Sequence, residues 1–185
     1  MARVPYLNDD DLAADDKELL ARPINLFRAL ANSPEGLRRL QGVGGWIRFG
    51  CELDPRHREL AILQVGYLTA TAYEWSHHVK IGQDFGVTEQ DIRSLIAVTE
   101  GKDTGGHFSS EDHAILASAR ELTSSRALTD DTAAALKTFL SDARLVDLVI
   151  VISYYNSVVR VLGGLQIDIE DGYQPYLREY PLGHS

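Results

Sequence analysis

An all-α fold follows from three features of the 185-residue sequence. Apolar residues recur at helical spacing through most of the chain. Helix-starting residues stand directly before those stretches, and alternating strand patterns are nearly absent. Asp11 to Ala21 reads as a short acidic helix that Pro23 interrupts, and Leu26, Phe27 and Leu30 mark a second helical stretch from Ile24 to Ala31. Ser33-Pro34 is a cap followed by a first-turn proline, so a helix is expected from there towards Phe49. Gly42, Gly44 and Gly45 weaken it, either as a break or as places where another helix approaches closely. Asp54-Pro55 repeats the cap-plus-proline start for a helix to about Thr69.

A further helix is expected from about Thr71 to Phe85, stopped by Gly86. Thr88, Ser109, Thr129 and Ser141 are N-cap candidates for four more, with Gly101 to Gly106 as a loop. Acids in the first turns after Thr88 and Ser109 suit the positive end of a helix. The last segment, Ser141 to about Leu162, is rich in Val and Ile, yet too long for a buried strand. It is apolar nearly all round, which predicts burial on most sides or a subunit interface. Asp147, Ser153, Asn156 and Arg160 interrupt it too often for a spanning helix. The tail from Gly163, with Tyr173, Pro175, Tyr176, Tyr180 and Pro181, reads as an irregular arm lying on the body or on a partner. One domain is therefore expected over 1–185, with a core at about 24–162, an N-terminal arm at 1–23 and a C-terminal arm at 163–185.

Apolar residues make up 44% of the chain, enough for a core without disulfide or metal staples. The 27 acidic residues outnumber 18 Lys plus Arg, giving a net charge of −9. Such a chain lacks the basic footprint for nucleic acid or an anionic membrane. Cys51 is the single cysteine, so no disulfide and no two-thiol chemistry can form within the chain. The start leads into Asp9-Asp10-Asp11 rather than an apolar segment, and a cytoplasmic location is expected.

The stretch Glu59 to Val87 carries the chemistry. Glu74, His77 and His78 stand at i, i+3 and i+4 on one helix, with Thr71 one turn earlier. A carboxylate one turn from an imidazole can fix its tautomer and raise its pKa, which suits acid–base work near neutral pH. An exposed Glu–His pair of no function has the same spacing.

The sequence resembles the carboxymuconolactone decarboxylase family, which includes the alkylhydroperoxidase D-like proteins. The resemblance rests on Arg58-Glu59-Leu60, on the run Ala72-Tyr73-Glu74-Trp75-Ser76-His77-His78, and on the Gly86-Val87-Thr88 turn. It extends more weakly to residues 25–30 and to Tyr154-Tyr155-Asn156. It implies a compact helical bundle, assembly as a trimer or hexamer, and a small-molecule substrate. The peroxidase branch uses Glu-x11-Cys-x-Tyr-Cys-x3-His. On this chain that motif falls on Glu59, Thr71, Tyr73, Glu74 and His78, so both cysteine positions lack a thiol. Dithiol peroxide reduction is therefore not expected. The decarboxylase branch can carry glutamate at the second cysteine position; it acts on a small carboxylated lactone without metal or organic cofactor.

Within that resemblance His78 is the expected proton carrier, with Glu59 or Glu74 orienting it or sharing its proton. Tyr73 is a candidate donor to a developing oxyanion, His77 a neighbour in the substrate site, and Arg160 a candidate clamp for a substrate carboxylate. Ordinary roles compete with each. Glu59 also suits a helix start, Arg160 can pair with Asp147 or a neighbouring subunit, and Trp75, Tyr154 and Tyr155 suit packing. Arg56 and Arg58 are expected to be solvated and Cys51 to be a small buried hydrophobe. His57, His107, His113 and His184 have no assigned role. Three other readings are residual peroxidase activity through intersubunit or external thiols, a metal site from Glu59, Glu74 and His78, with or without His77, and a small-ligand-binding oligomer without chemistry.

Overall fold

The computed structural model describes residues 2–102 and 106–183, so His184, Ser185, Met1 and the centre of the Gly101–Gly106 loop lie outside the described residues. Helices account for the secondary structure, and the described residues contain no strand. They are α1 (Asn25–Leu30), α2 (Pro34–Phe49), α3 (Pro55–Leu68), α4 (Ala72–Asp84), α5 (Glu89–Thr99), α6 (Ser110–Ser124), α7 (Asp130–Lys137), α8 (Asp142–Leu165) and α9 (Gln174–Glu179).

The caps form where polar start residues stand. Asp54 accepts from the His57 N–H, Thr88 from Asp91, Ser109 from Asp112, Thr129 from Thr132 and Ser141 from Arg144. Ser33 precedes α2 but makes no side-chain cap bond, so Pro34 at the first turn is the local start signal there. The glycines do not break α2. At Gly44 an added Cβ would meet the Tyr154 hydroxyl at 2.8 Å, so this glycine admits α8.

α3 is the central helix. Every residue from Arg58 to Tyr67 is buried, and its neighbours are α4, α6 and α8. α3 and α4 form a tight hairpin through Thr69, Ala70 and Thr71, with Ala70 at φ 48°. Gly66 faces the Trp75 backbone across it, and its missing side chain sets how closely the two helices approach. Trp75 is fully buried, as core rather than site, with its indole N–H bonded to the Tyr180 carbonyl at 2.7 Å.

Several expectations are corrected. The Asp11–Ala21 segment forms two 3-10 turns, Asp9–Asp11 and Ala14–Leu20, because a short acid-rich stretch without a side-chain cap at Ala13 does not sustain α-helical pairing. The tail is not wholly irregular. A 3-10 turn at Asp171–Tyr173 leads into α9, which has Pro175 in its first turn and packs against α4. Arg56 and Arg58 are not solvated. Arg56 joins Asp91 and Asp112, each at 2.6 Å, tying α3 to the starts of α5 and α6. Cys51 is only half-buried, its thiol against the Ile47 carbonyl.

Both arms lie on the body. Arg3 N–H bonds the Leu165 carbonyl, and the Tyr6 hydroxyl meets Asp168 beyond α8. Among the described residues α8 is the one helix long and apolar enough to cross a membrane, but one of its faces builds the core through Leu148, Val151, Ile152 and Val159.

Candidate active site

α3 and α4 bring Glu59, Glu74 and His78 into one buried cluster. His78 Nδ1 lies 2.7 Å from Glu59 Oε2, and Nε2 lies 3.0 Å from Glu74 Oε1. Glu74 reaches His78 because they are one turn apart; Glu59 reaches it across the α3–α4 hairpin. Arg58 Nε donates to the second oxygen of Glu59 at 3.1 Å. The Tyr155 ring stands edge-on to the imidazole, 4.9 Å between centroids.

Electrostatics follow from this geometry. Burial disfavours a charged imidazole, but the Glu59 and Glu74 carboxylates outweigh it and push His78 up to about 9. At neutral pH His78 is therefore an imidazolium with both N–H groups on carboxylates. Burial works against charge on Glu59, yet His78 and Arg58 hold its pKa below the usual carboxylate value. Burial, together with Glu74 and Glu59, lifts the Tyr155 phenol well above its ordinary value, so it stays neutral.

The second histidine occupies a different setting. His77 is sandwiched between Tyr73, at 4.2 Å, and Tyr173 from the C-terminal arm, at 3.5 Å between centroids. Its Nε2 meets Glu170 at 2.8 Å. Burial pushes His77 down, against the opposing pull of Glu170, so it is neutral and donates to that carboxylate. Burial opposes charge on Glu170 as well, but bonds from His77 and the Asn25 N–H lower it to about 2. The Tyr73 hydroxyl donates to Glu170 at 3.0 Å and accepts from the Leu26 N–H. Tyr73 is thus committed to the arm rather than free to meet an oxyanion.

A cavity of about 360 Å³ opens onto this cluster. Glu59, Glu74, His78, His77 and Tyr73 all line it, as do Arg48, Arg58 and Tyr155. Ile24, Phe27, Ile47 and Val158 give it an apolar body. Arg160 is not in the lining; it is exposed and bonds the Asn156 carbonyl and side chain one turn back on α8. Neither Asp147 nor the cavity is its partner. Glu59, Glu74 and His78 form a tight triad, but both imidazole nitrogens are spent on carboxylates, which leaves neither lone pair for a metal. Among the described residues no group of three or more His, Cys, Asp or Glu side chains has a metal-holding arrangement.

Sequence reasoning missed Glu170, Arg48 and Arg58. Glu170 is 93 residues from His77 and carries no local pattern. Arg58 had a usable signal: it stands one turn before Ala61 and Ile62 at the head of a largely apolar helix, where a cation that turns inward needs a buried partner.

The helical fold is similar to that of alkylhydroperoxidase D-like structures, and Thr71 and Glu74 stand where that group's motif has its paired thiols. The core of an uncharacterized peroxidase-related protein from Ralstonia eutropha, described as an alkylhydroperoxidase AhpD core, is 16% identical and superposes with a TM-score of 0.77, covering 95% of both chains. A variant of the debrominase Bmp8 in complex with 2,3,4-tribromopyrrole is 16% identical with a TM-score of 0.78, covering 97% of this chain and 98% of that one. A protein of unknown function from Agrobacterium tumefaciens, a putative antioxidant defence protein AhpD, is 20% identical with a TM-score of 0.66, covering 76% of this chain and 94% of that one. No curated protein matches the sequence. Residues 34–101 match the model of the Carboxymuconolactone decarboxylase family. This segment spans α2 to α5 and includes Glu59, Glu74 and His78.

Proposed function

We propose that the protein is a cofactor-independent decarboxylase, or a related proton-transfer enzyme, acting on a small carboxylated lactone-like substrate. The observation that carries this reading is a buried imidazolium at a cavity, held charged at neutral pH by two carboxylates. Loss of carbon dioxide from a conjugated lactone breaks one C–C bond and moves its electron pair through the double bond onto the ring carbonyl. The resulting enolate must then take a proton at carbon. His78 supplies that proton, with Glu74 at the cavity as the carboxylate that hands it on and Glu59 as the group that orients the ring. A buried imidazolium also stabilises the developing enolate before it is protonated. Apolar walls exclude water from the intermediate.

Thiol peroxidase chemistry does not fit these residues. Thr71 and Glu74 stand at the two thiol positions of that motif, and Cys51 is not part of the cavity lining. The reading also includes a cytoplasmic homo-oligomer, trimer or hexamer, which nucleic acid and membranes do not engage.

Carbon dioxide release from carboxymuconolactone by the wild type and His78→Ala tests the proposal. The expected result is release by the wild type and a loss of at least about a hundredfold in the variant, the scale of one general acid. Equal rates would remove His78 from the mechanism, and release by neither would overturn the decarboxylase reading.

A further inference from the structure

The cavity's charges are unusual for this chain. Arg22, Arg48 and Arg58 line it together with the His78 imidazolium, against only Glu59 and Glu74. That is a local excess of two positive charges on a protein whose net charge is −9. Part of this charge is unspent. Arg58 is 3% exposed, with Nε on Glu59 and Nη1 on the Arg48 carbonyl, while its buried Nη2 has no hydrogen-bond partner. Leaving such a donor unbonded is costly unless a ligand completes it. Arg48 is half-buried and has no carboxylate partner among the described residues. Its guanidinium instead lies 5.7 Å from the Phe49 ring centre and 5.6 Å from that of Phe85, and Arg58 sits over the same Phe85 ring at 4.6 Å. The two neighbouring guanidinium groups therefore share the Phe85 ring, and only Arg58 has an acid, Glu59, beside it. Phe49, 82% exposed, also lines the cavity and offers a flat apolar contact there.

We propose that Arg48, backed by Arg58, is the anchor for the substrate's carboxylate, so that the cavity selects a single-ring molecule bearing one. The inference rests on the proposed function and moves the carboxylate clamp from Arg160 to the cavity. Guanidinium groups take a carboxylate in a bidentate manner that an ammonium cannot match. Glu59 links the two halves of the site, with one oxygen on Arg58 and the other on His78. A ring held by Arg48 therefore lies beside the proton carrier. Anchoring a carboxylate there also favours ligands of the opposite sign to the cavity over neutral rings of the same size.

Calorimetric titration with benzoate and with benzamide tests this directly, since the two differ in charge and little in shape. Benzoate is expected to bind at least about tenfold more tightly than benzamide. Arg48→Ala should remove that preference by weakening benzoate alone, and Arg48→Lys should restore it only in part. His78→Ala should lose turnover and weaken benzoate somewhat through the lost charge, while the preference for benzoate over benzamide that Arg48 supplies persists. Equal binding of the two probes, no benzoate binding at all, or an unchanged preference in Arg48→Ala would each overturn the anchor. Arg48-dependent benzoate binding without carbon dioxide release would overturn the decarboxylase reading and leave the anchor standing.

Discussion

His78 holds its proton because Glu59 and Glu74 stand on its two ring nitrogens at a buried position. The sign of the linkage follows. With its pKa raised from 6.5 to about 9 in the fold, His78 contributes stability that is fully present below pH 6.5 and lost as pH rises through about 9. The loss amounts to about 3 kcal/mol, from roughly 1.4 kcal/mol per unit of pKa. Urea unfolding between pH 6 and 10 should show this decline, and His78→Ala should flatten it. Activity should fall on an alkaline limb near the same pH, where the proton donor is lost. Glu59→Gln removes one of the two carboxylates, so the limb should move down by a unit or more. A limb that stays in place in Glu59→Gln would show that another group titrates there. His77, one residue away, cannot substitute: its burial between two tyrosines keeps it neutral against the opposing pull of Glu170.

At the scale of elements, the α3–α4 hairpin fixes the distance between Glu59 and His78. Gly66 sets that distance, because a Cβ there would lie 3.3 Å from the Trp75 backbone nitrogen and 3.4 Å from its Cα. Backbone atoms in a packed hairpin cannot give way as a flexible side chain would. Gly66→Ala should therefore destabilise the protein by about 1–3 kcal/mol. Gly42→Ala is the control: its Cβ meets nothing within 4 Å, and it should be neutral or stabilising. Thermal unfolding followed by Trp fluorescence distinguishes them, and equal midpoints would mean that α3 and α4 can separate freely. Most of these helices were legible because each starts at a residue whose side chain can bond the backbone, such as Thr88 or Ser109. Glu74 and His78 were legible for a similar local reason, since spacing along one helix is enough to pair them. Pairings across the fold were not. Glu59 came within view only through the family motif, and Glu170 and Arg48 act across helices that no periodicity connects. Arg160 failed as a candidate because its position on α8 says nothing about which face of the bundle the cavity occupies.

At the scale of the molecule, α8 has two faces with different tasks. One face packs on α3 and α6 and is buried at Leu148, Val151, Ile152 and Val159. The other presents Ala143, Val146, Ile150, Ser153, Ser157, Arg160 and Gly164, all exposed and alternately three and four residues apart. That alternation is the seam spacing of paired helices, and small or apolar side chains dominate it. Val146 is 57% exposed and Ile150 39%, an apolar surface in continuous register that a single chain does not cover. Assembly through this face would account for it, and also for the exposed Arg160, whose guanidinium would then sit at a subunit boundary rather than on the substrate. The expectation is a trimer or hexamer by light scattering at micromolar concentration. Val146→Asp with Ile150→Asp places two charges on the seam without touching the cavity. The double variant should dissociate to smaller species with its helical circular dichroism and its benzoate binding intact. A wild-type monomer would end the assembly proposal, and so would a double variant of unchanged size. Dissociation with binding retained would show that each chain builds its own cavity, with α8 serving the core on one side and the assembly on the other.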